Sequence, residues 1–274
     1  MRKTLLTFSF FLCLGVFVKA QKTPEQMGGV YYAYPIHEKT TIKNDSSLFT
    51  LHSSLTPFYL SHYGRHGSRW LPNERRYTWV IQQFDDKTNL TPLGKNVRKR
   101  LMKIWKNARG NTGQLTPLGA QQHRQIAQRM YRNYPQLFTA EAHLTAHSST
   151  VNRCKTSMEN FVAELKTLNP SIHINPITRE EDMAWMSYKS KEQSNLEHSI
   201  RIPLRVSPDR FVQSLFKDTS KVENPTKLLS ELHTIASDMQ DIPLKVSLYD
   251  IFTEEEMRAV YASGTALSSG TAQC

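Results

Sequence analysis

Apolar residues recur along this chain in three rhythms. The first is an almost unbroken run from Leu5 to Val18, behind a positive start at Arg2 and Lys3. The second is a set of short strand-like stretches: Val30-Tyr31-Tyr32-Ala33-Tyr34-Pro35, Phe58–Ser61, His143–Ser148 and Ile172-His173-Ile174, the last stopped by Pro176. The third is helical spacing. Val151, Cys154, Met158, Phe161, Val162 and Leu165 fall three and four apart and predict a helix with one apolar face, capped by Ser149 or Thr150.

Turn and cap residues sharpen this pattern. Leu-Thr-Pro-Leu-Gly occurs twice, at Leu90–Gly94 and at Leu115–Gly119. In each copy threonine suits the N-cap and proline the first helical position. Helices are therefore expected over Pro92–Ala108 and Pro117–Asn133, separated by Arg109-Gly110-Asn111-Thr112-Gly113. The duplication is a shared capping solution, since two copies do not make a repeat array. After about Asp182 the strand pattern stops. Arg210–Lys217, Pro225–Gln240 and Thr253–Tyr261 read as helices, and Ser263 to Cys274 as an irregular tail.

The alternation of strands and helices followed by helices alone gives an α/β class: a Rossmann-like core with an incomplete sheet and an inserted, mainly helical cap. The expected division is a leader over 1–20, the N-terminal part of the core over 21–180, the cap over 181–262 and the tail over 263–274. The leader has the form of a secretory signal peptide, cleaved near Ala20. An uncleaved anchor is the alternative, but the run falls short of the roughly 20 residues a span needs. The expected location is the periplasm, the outer surface or the medium, with no stable membrane span after cleavage. Of the three cysteines only Cys154 and Cys274 lie outside the leader, so this is no disulfide scaffold.

Charge adds a third observation. The net charge of +11 falls to +8 once the leader's Arg2, Lys3 and Lys19 are removed. Between Arg65 and Arg109 basic residues far outnumber the acids Glu74, Asp85 and Asp86. Such a field attracts polyanions. A nucleic-acid surface, a solvated basic helix and a site for a polyphosphorylated small molecule all fit it, and export suits the small molecule better than DNA.

The chemistry concentrates in Tyr59-Leu60-Ser61-His62-Tyr63-Gly64-Arg65-His66-Gly67-Ser68-Arg69. A neutral imidazole is a competent nucleophile toward phosphorus, and guanidiniums grip phosphate oxygens in pairs. Gly64 and Gly67 let backbone approach an anion. His62 and His66 have the spacing of helical metal ligands, but the glycines oppose a helix there, so no metal and no cofactor is expected. No Walker loop, cysteine-phosphatase spacing or G-x-S-x-G elbow is present.

The order of Arg65-His66-Gly67-Ser68-Arg69, the Leu115–Tyr134 segment and Ser148-Ser149-Thr150-Val151-Asn152-Arg153-Cys154-Lys155-Thr156-Ser157 resembles the histidine phosphatase superfamily. Within it the chain looks most like the acid phosphatase and phytase branch, and most of all bacterial multiple inositol polyphosphate phosphatases. The resemblance implies that His66 is the nucleophile and is transiently phosphorylated. It implies that Arg65, Arg69 and Arg153 bind the transferred phosphoryl group, with a small polyphosphorylated substrate as partner. The oligomeric state is not legible.

Two departures accompany the resemblance. Pro72 lies three places after Arg69 where the family has proline two places after its second arginine. No His-Asp or His-Ala-Glu follows His66, so the proton donor has no counterpart here. The chain therefore reads as a C-terminally truncated member, expected to be weakly active and poorly stable. A non-catalytic protein that binds phosphorylated ligands is the second reading, and a basic nucleic-acid-binding protein the third.

Overall fold

The computed structural model describes residues 27, 57–186, 192, 195, 203–238 and 248–268, the last five of these in backbone alone. The leader, the Val30–Pro35 stretch and residues 269–274 lie outside the described residues. Along the chain come α1 (Glu74–Gln83), α2 (Pro92–Ala108), α3 (Pro117–Asn133), β1 (Leu144–Ser148), α4 (Asn152–Leu168), β2 (Ile174–Thr178), α5 (Met183–Met186), α6 (Asp209–Leu215), α7 (Pro225–Asp238) and α8 (Glu254–Ser268).

The architecture is α/β, with helices predominating over a small parallel sheet. β1, α4 and β2 form a β-α-β unit, with Leu144 opposite Ile174 and Ser148 opposite Thr178. α4 covers the pair and packs along α3. The apolar filling of this body is Ala127, Phe138, Val162, Leu165, Ile172 and Ile174, with Met158, Phe161 and Leu60 at its margin. Pro176 does not end the second strand but sits inside it, opposite Ala146. β2 pairs on one side only among the described residues, so the missing proline N–H is tolerated there.

A larger apolar cluster joins two stretches far apart in sequence. Trp70, Leu71, Tyr77, Val80, Val97, Leu101 and Ile104 pack with Phe211, Leu215, Leu228, Leu232, Ile251 and Phe252. Ion pairs reinforce the join. Arg76 bonds to Glu231 and Arg100 to Asp250, each at 2.6 Å. Within the second stretch, Arg210 grips the buried carboxylate of Glu256 at 2.8 and 2.5 Å. Glu256 also accepts from the Thr253 N–H while the Thr253 hydroxyl accepts from the Glu256 N–H, a capping box that starts α8. α8 runs to Ser268, so the first part of the expected irregular tail is helical.

The two Leu-Thr-Pro-Leu-Gly copies do more than cap. Thr91 accepts from Gly94 N–H and donates to the Ser214 carbonyl at 2.6 Å. Thr116 accepts from Gly119 N–H and donates to the Ser68 carbonyl at 3.0 Å. In both, the leucine joins the docked segment through an antiparallel bridge, Leu90 with Phe216 and Leu115 with Arg69. Each glycine lies against that segment's backbone. A methyl on Gly94 would meet Leu215 O at 2.1 Å, and one on Gly119 would meet Ser68 O at 2.2 Å.

Phe58–Ser61 forms no strand. Phe58 and Tyr59 are 93% and 74% exposed, and only Leu60 reaches the core. A hollow of about 400 Å³ lies between Tyr59–His66 and β1, so the two backbones do not close into a ladder. Among the described residues no helix is long and apolar enough to cross a membrane.

Candidate functional site

Arg65 to Arg69 form a non-helical loop whose shape is imposed by α3 and α4. The Ser68 N–H donates to Gln122 Oε1 at 2.9 Å, and the Ser68 carbonyl accepts from both the N–H and the hydroxyl of Thr116. Gly67 lies so close to Gly119 that a methyl there would sit 2.4 Å from its carbonyl oxygen. From α4, Ser157 Oγ accepts from the Gly67 N–H at 3.1 Å and donates to the Arg153 carbonyl at 2.8 Å. One serine therefore ties the loop to the first turn of α4.

The loop holds His66 in one tautomer. Its Nδ1 lies 2.7 Å from the Gly67 carbonyl oxygen, an acceptor only, so Nδ1 carries the proton and Nε2 keeps its lone pair. Burial pulls the imidazole pKa down. The Gly67 bond works the other way, and Arg65, Arg153 and Arg69 add to the lowering, which brings it to about 4. At neutral pH the ring is uncharged and nucleophilic.

The same electrostatics locates the arginines. All three act on the His66 ring, two from its own loop and one from the first turn of α4. Arg69 also donates to the Trp70 carbonyl at 2.9 Å. Arg153 Nε is buried without a hydrogen-bond partner among the described residues. Neither Ser149 nor Thr150 caps α4. Val151 occupies the cap position, and its apolar side chain makes no cap hydrogen bond. Ser149 is buried instead, and the Thr150 N–H points to Met183 Sδ at 3.2 Å.

The hollow beside the loop is a separate feature. Arg65 and His66 line it, with His62, His123, His147, Ser149, Phe161 and apolar residues of α4 and β1, but Arg69 and Arg153 do not. Arg69 and Arg153, whose charges act on His66, therefore lie outside the lining of this mostly apolar space. Among the described residues no cluster of His, Cys, Asp and Glu is placed to hold a metal, and His62 and His66 lie in non-helical backbone.

Sequence reasoning singled out Arg65, His66, Arg69 and Arg153, and in the fold the charges of the three arginines reach the His66 ring. It did not single out Gln122 or Ser157, whose side chains bond to the loop. A partial signal existed. Gln122 lies three places beyond Gly119, on the same side of α3, and Ser157 lies one turn beyond Arg153.

The fold is similar to that of a solved phytase from D. castellii, with a TM-score of 0.53 and 14% identity over 73% of this chain and 48% of that one. The chain thus spans about half the phytase's length. A solved multiple inositol polyphosphate phosphatase from Bifidobacterium longum, in complex with inositol hexasulfate, matches at TM-score 0.49 and 14% identity over 80% and 66% of the chains. No protein-family model matches the sequence and no curated protein matches it. At this identity the phytase likeness speaks for the fold: an α/β body with a helical cap.

Proposed function

We propose that this protein is a phosphomonoester hydrolase of the histidine acid phosphatase type, acting on inositol polyphosphates through phosphorylated His66. The observation that carries the reading is a neutral imidazole of fixed tautomer, influenced by three guanidiniums from two separate segments. Phosphoryl transfer depends mainly on positioning and on stabilising charge on the equatorial oxygens. Arg65, Arg69 and Arg153 supply that charge. The uncapped start of α4 adds backbone N–H groups of the same polarity.

In the step, His66 Nε2 bonds to phosphorus as the ester P–O bond breaks, and the leaving oxygen takes a proton from solvent water, whose hydroxide is neutralised by the proton released when water later hydrolyses the phosphohistidine. Water then attacks the phosphohistidine, releasing orthophosphate and restoring the neutral ring. The basic surplus between Arg65 and Arg109 favours a polyanionic substrate. The solved neighbours are a phytase and an inositol polyphosphate phosphatase, which agrees with that substrate class. The proposed setting is extracytoplasmic, after removal of the leader.

The test is to incubate the protein with radiolabelled phytate, quench in base and look for label on His66. Wild type is expected to trap base-stable, acid-labile label that His66→Ala lacks. Equal labelling of the two would show that another group carries the phosphoryl. No label in wild type, with orthophosphate still bound, would favour the second reading, a phosphate-binding protein without turnover.

A further inference from the structure

A histidine side chain free in water carries its neutral-state proton mainly on Nε2. His66 carries it on Nδ1, so the fold has to hold the less favoured form. One peptide group does this. The carbonyl oxygen that lies 2.7 Å from His66 Nδ1 is that of Gly67. The N–H at the other end of the same group is that of Ser68, and it donates to Gln122 Oε1 at 2.9 Å.

A trans peptide is planar, and its N–H and C=O point in opposite directions. Gln122 Oε1, the Ser68 N–H, the Gly67 carbonyl and the His66 Nδ1–H therefore form one continuous chain of hydrogen bonds. Two effects run along it. With its N–H fixed, the peptide is kept from turning its oxygen away from the ring. Donation by the N–H also polarises the carbonyl and strengthens it as an acceptor. The far end is well anchored, since Gln122 lies within α3 and is only 2% exposed. Ser157 accepts from the Gly67 N–H, which belongs to the preceding peptide, so it stands outside this chain. A packing role alone would be filled as well by methionine. An oxygen aimed at the Ser68 N–H has a more specific consequence.

We propose that Gln122 is a positioning residue: by accepting from the Ser68 N–H it holds the Gly67 carbonyl on His66 Nδ1, and so leaves the Nε2 lone pair free to attack phosphorus. The attack rests on the phosphatase reading, whereas the hold on the tautomer does not.

The test compares Gln122→Met and Gln122→Leu, which keep bulk and lose the oxygen, with Gln122→Glu, which keeps an oxygen in either protonation state. Nitrogen-15 NMR of labelled full-length protein reads both His66 ring nitrogens and the exchange of the Ser68 amide, and phosphate release from phytate reads turnover. In both apolar variants the His66 proton is expected to shift toward Nε2, the Ser68 amide to exchange faster, and kcat to fall about 10- to 100-fold with KM less affected. Gln122→Glu is expected to restore the Nδ1–H form and most of the turnover. Wild-type His66 ring signals in a folded apolar variant would overturn the proposal, as would a folded glutamate variant no better than the apolar ones. Should no variant fold, the wild type decides alone: a Ser68 amide exchanging as fast as a fully exposed one overturns the proposal, and a protected amide beside an Nδ1-protonated ring sustains it. A wild-type chain that releases no phosphate would sink the phosphatase reading, and the His66 signals would still decide the role of Gln122.

Discussion

His66 and Arg153 lie far apart in sequence and act on one another in the fold. Because its pKa is lowered to about 4, the His66 imidazole stays neutral through mildly acidic conditions. If His66 is the nucleophile as proposed, the acid limb of kcat/KM, which reports the free enzyme, is expected near pH 4 and not near the ordinary imidazole value. A limb between pH 6 and pH 7 would mean that the ring is solvated. Arg153 makes a second point. Its guanidinium presents a planar fork, whereas lysine presents a point charge. Arg153→Lys should keep the charge and lose paired hydrogen bonding, weakening orthophosphate binding about tenfold, the worth of one charge-assisted bond. Calorimetric titration with orthophosphate checks this, and unchanged affinity would place Arg153 outside the phosphate site.

The duplicated Leu-Thr-Pro-Leu-Gly explains how much of each element was legible. Both helices were readable to the residue, because threonine and proline mark a start with a mechanism. What each helix start would grip was not readable, since a hydroxyl that caps its own helix leaves no further trace when it also donates elsewhere. The structure gives the copies different partners, Ser214 for the first and Ser68 for the second. Gly94→Ala and Gly119→Ala therefore form a matched pair. Each places a methyl within 2.2 Å of a carbonyl oxygen, an overlap that backbone must move to relieve. A loss of about 3 kcal/mol is expected for either in urea unfolding. Only Gly119→Ala should also lower orthophosphate affinity at urea-free conditions, because its clash falls on the Arg65–Arg69 loop. Equal affinities in the pair would break the link between α3 and the site.

The long-range organisation was the least legible level. Helical spacing shows that a face is apolar, not which partner covers it. Hence nothing in the sequence showed that Trp70–Ala108 shares a core with residues 211–260. Phe58–Ser61 failed for the complementary reason: its composition suits a strand, but a strand exists only as a paired backbone, and the hollow keeps it from β1. His233 belongs to this level too. In sequence it was one histidine without an acidic neighbour. In the fold it is buried in α7, edge-on to Tyr249 and Phe252, in the cluster that joins the two stretches. Burial lowers its pKa to about 4. The unfolded chain titrates it near 6.5, so between those values the unfolded state binds more protons and stability rises with pH. The contribution is complete above about pH 6.5 and is lost as pH falls toward 4, on the order of 3 kcal/mol in full. His66 adds in the same direction. Urea midpoints at about pH 7 and about pH 5 should therefore drop in the wild type. They should drop less in His233→Gln, which is weaker at neutral pH but has lost one titrating group. The same fall in both proteins would show that the join between the two stretches does not hold His233 neutral, and that acid acts on the fold elsewhere.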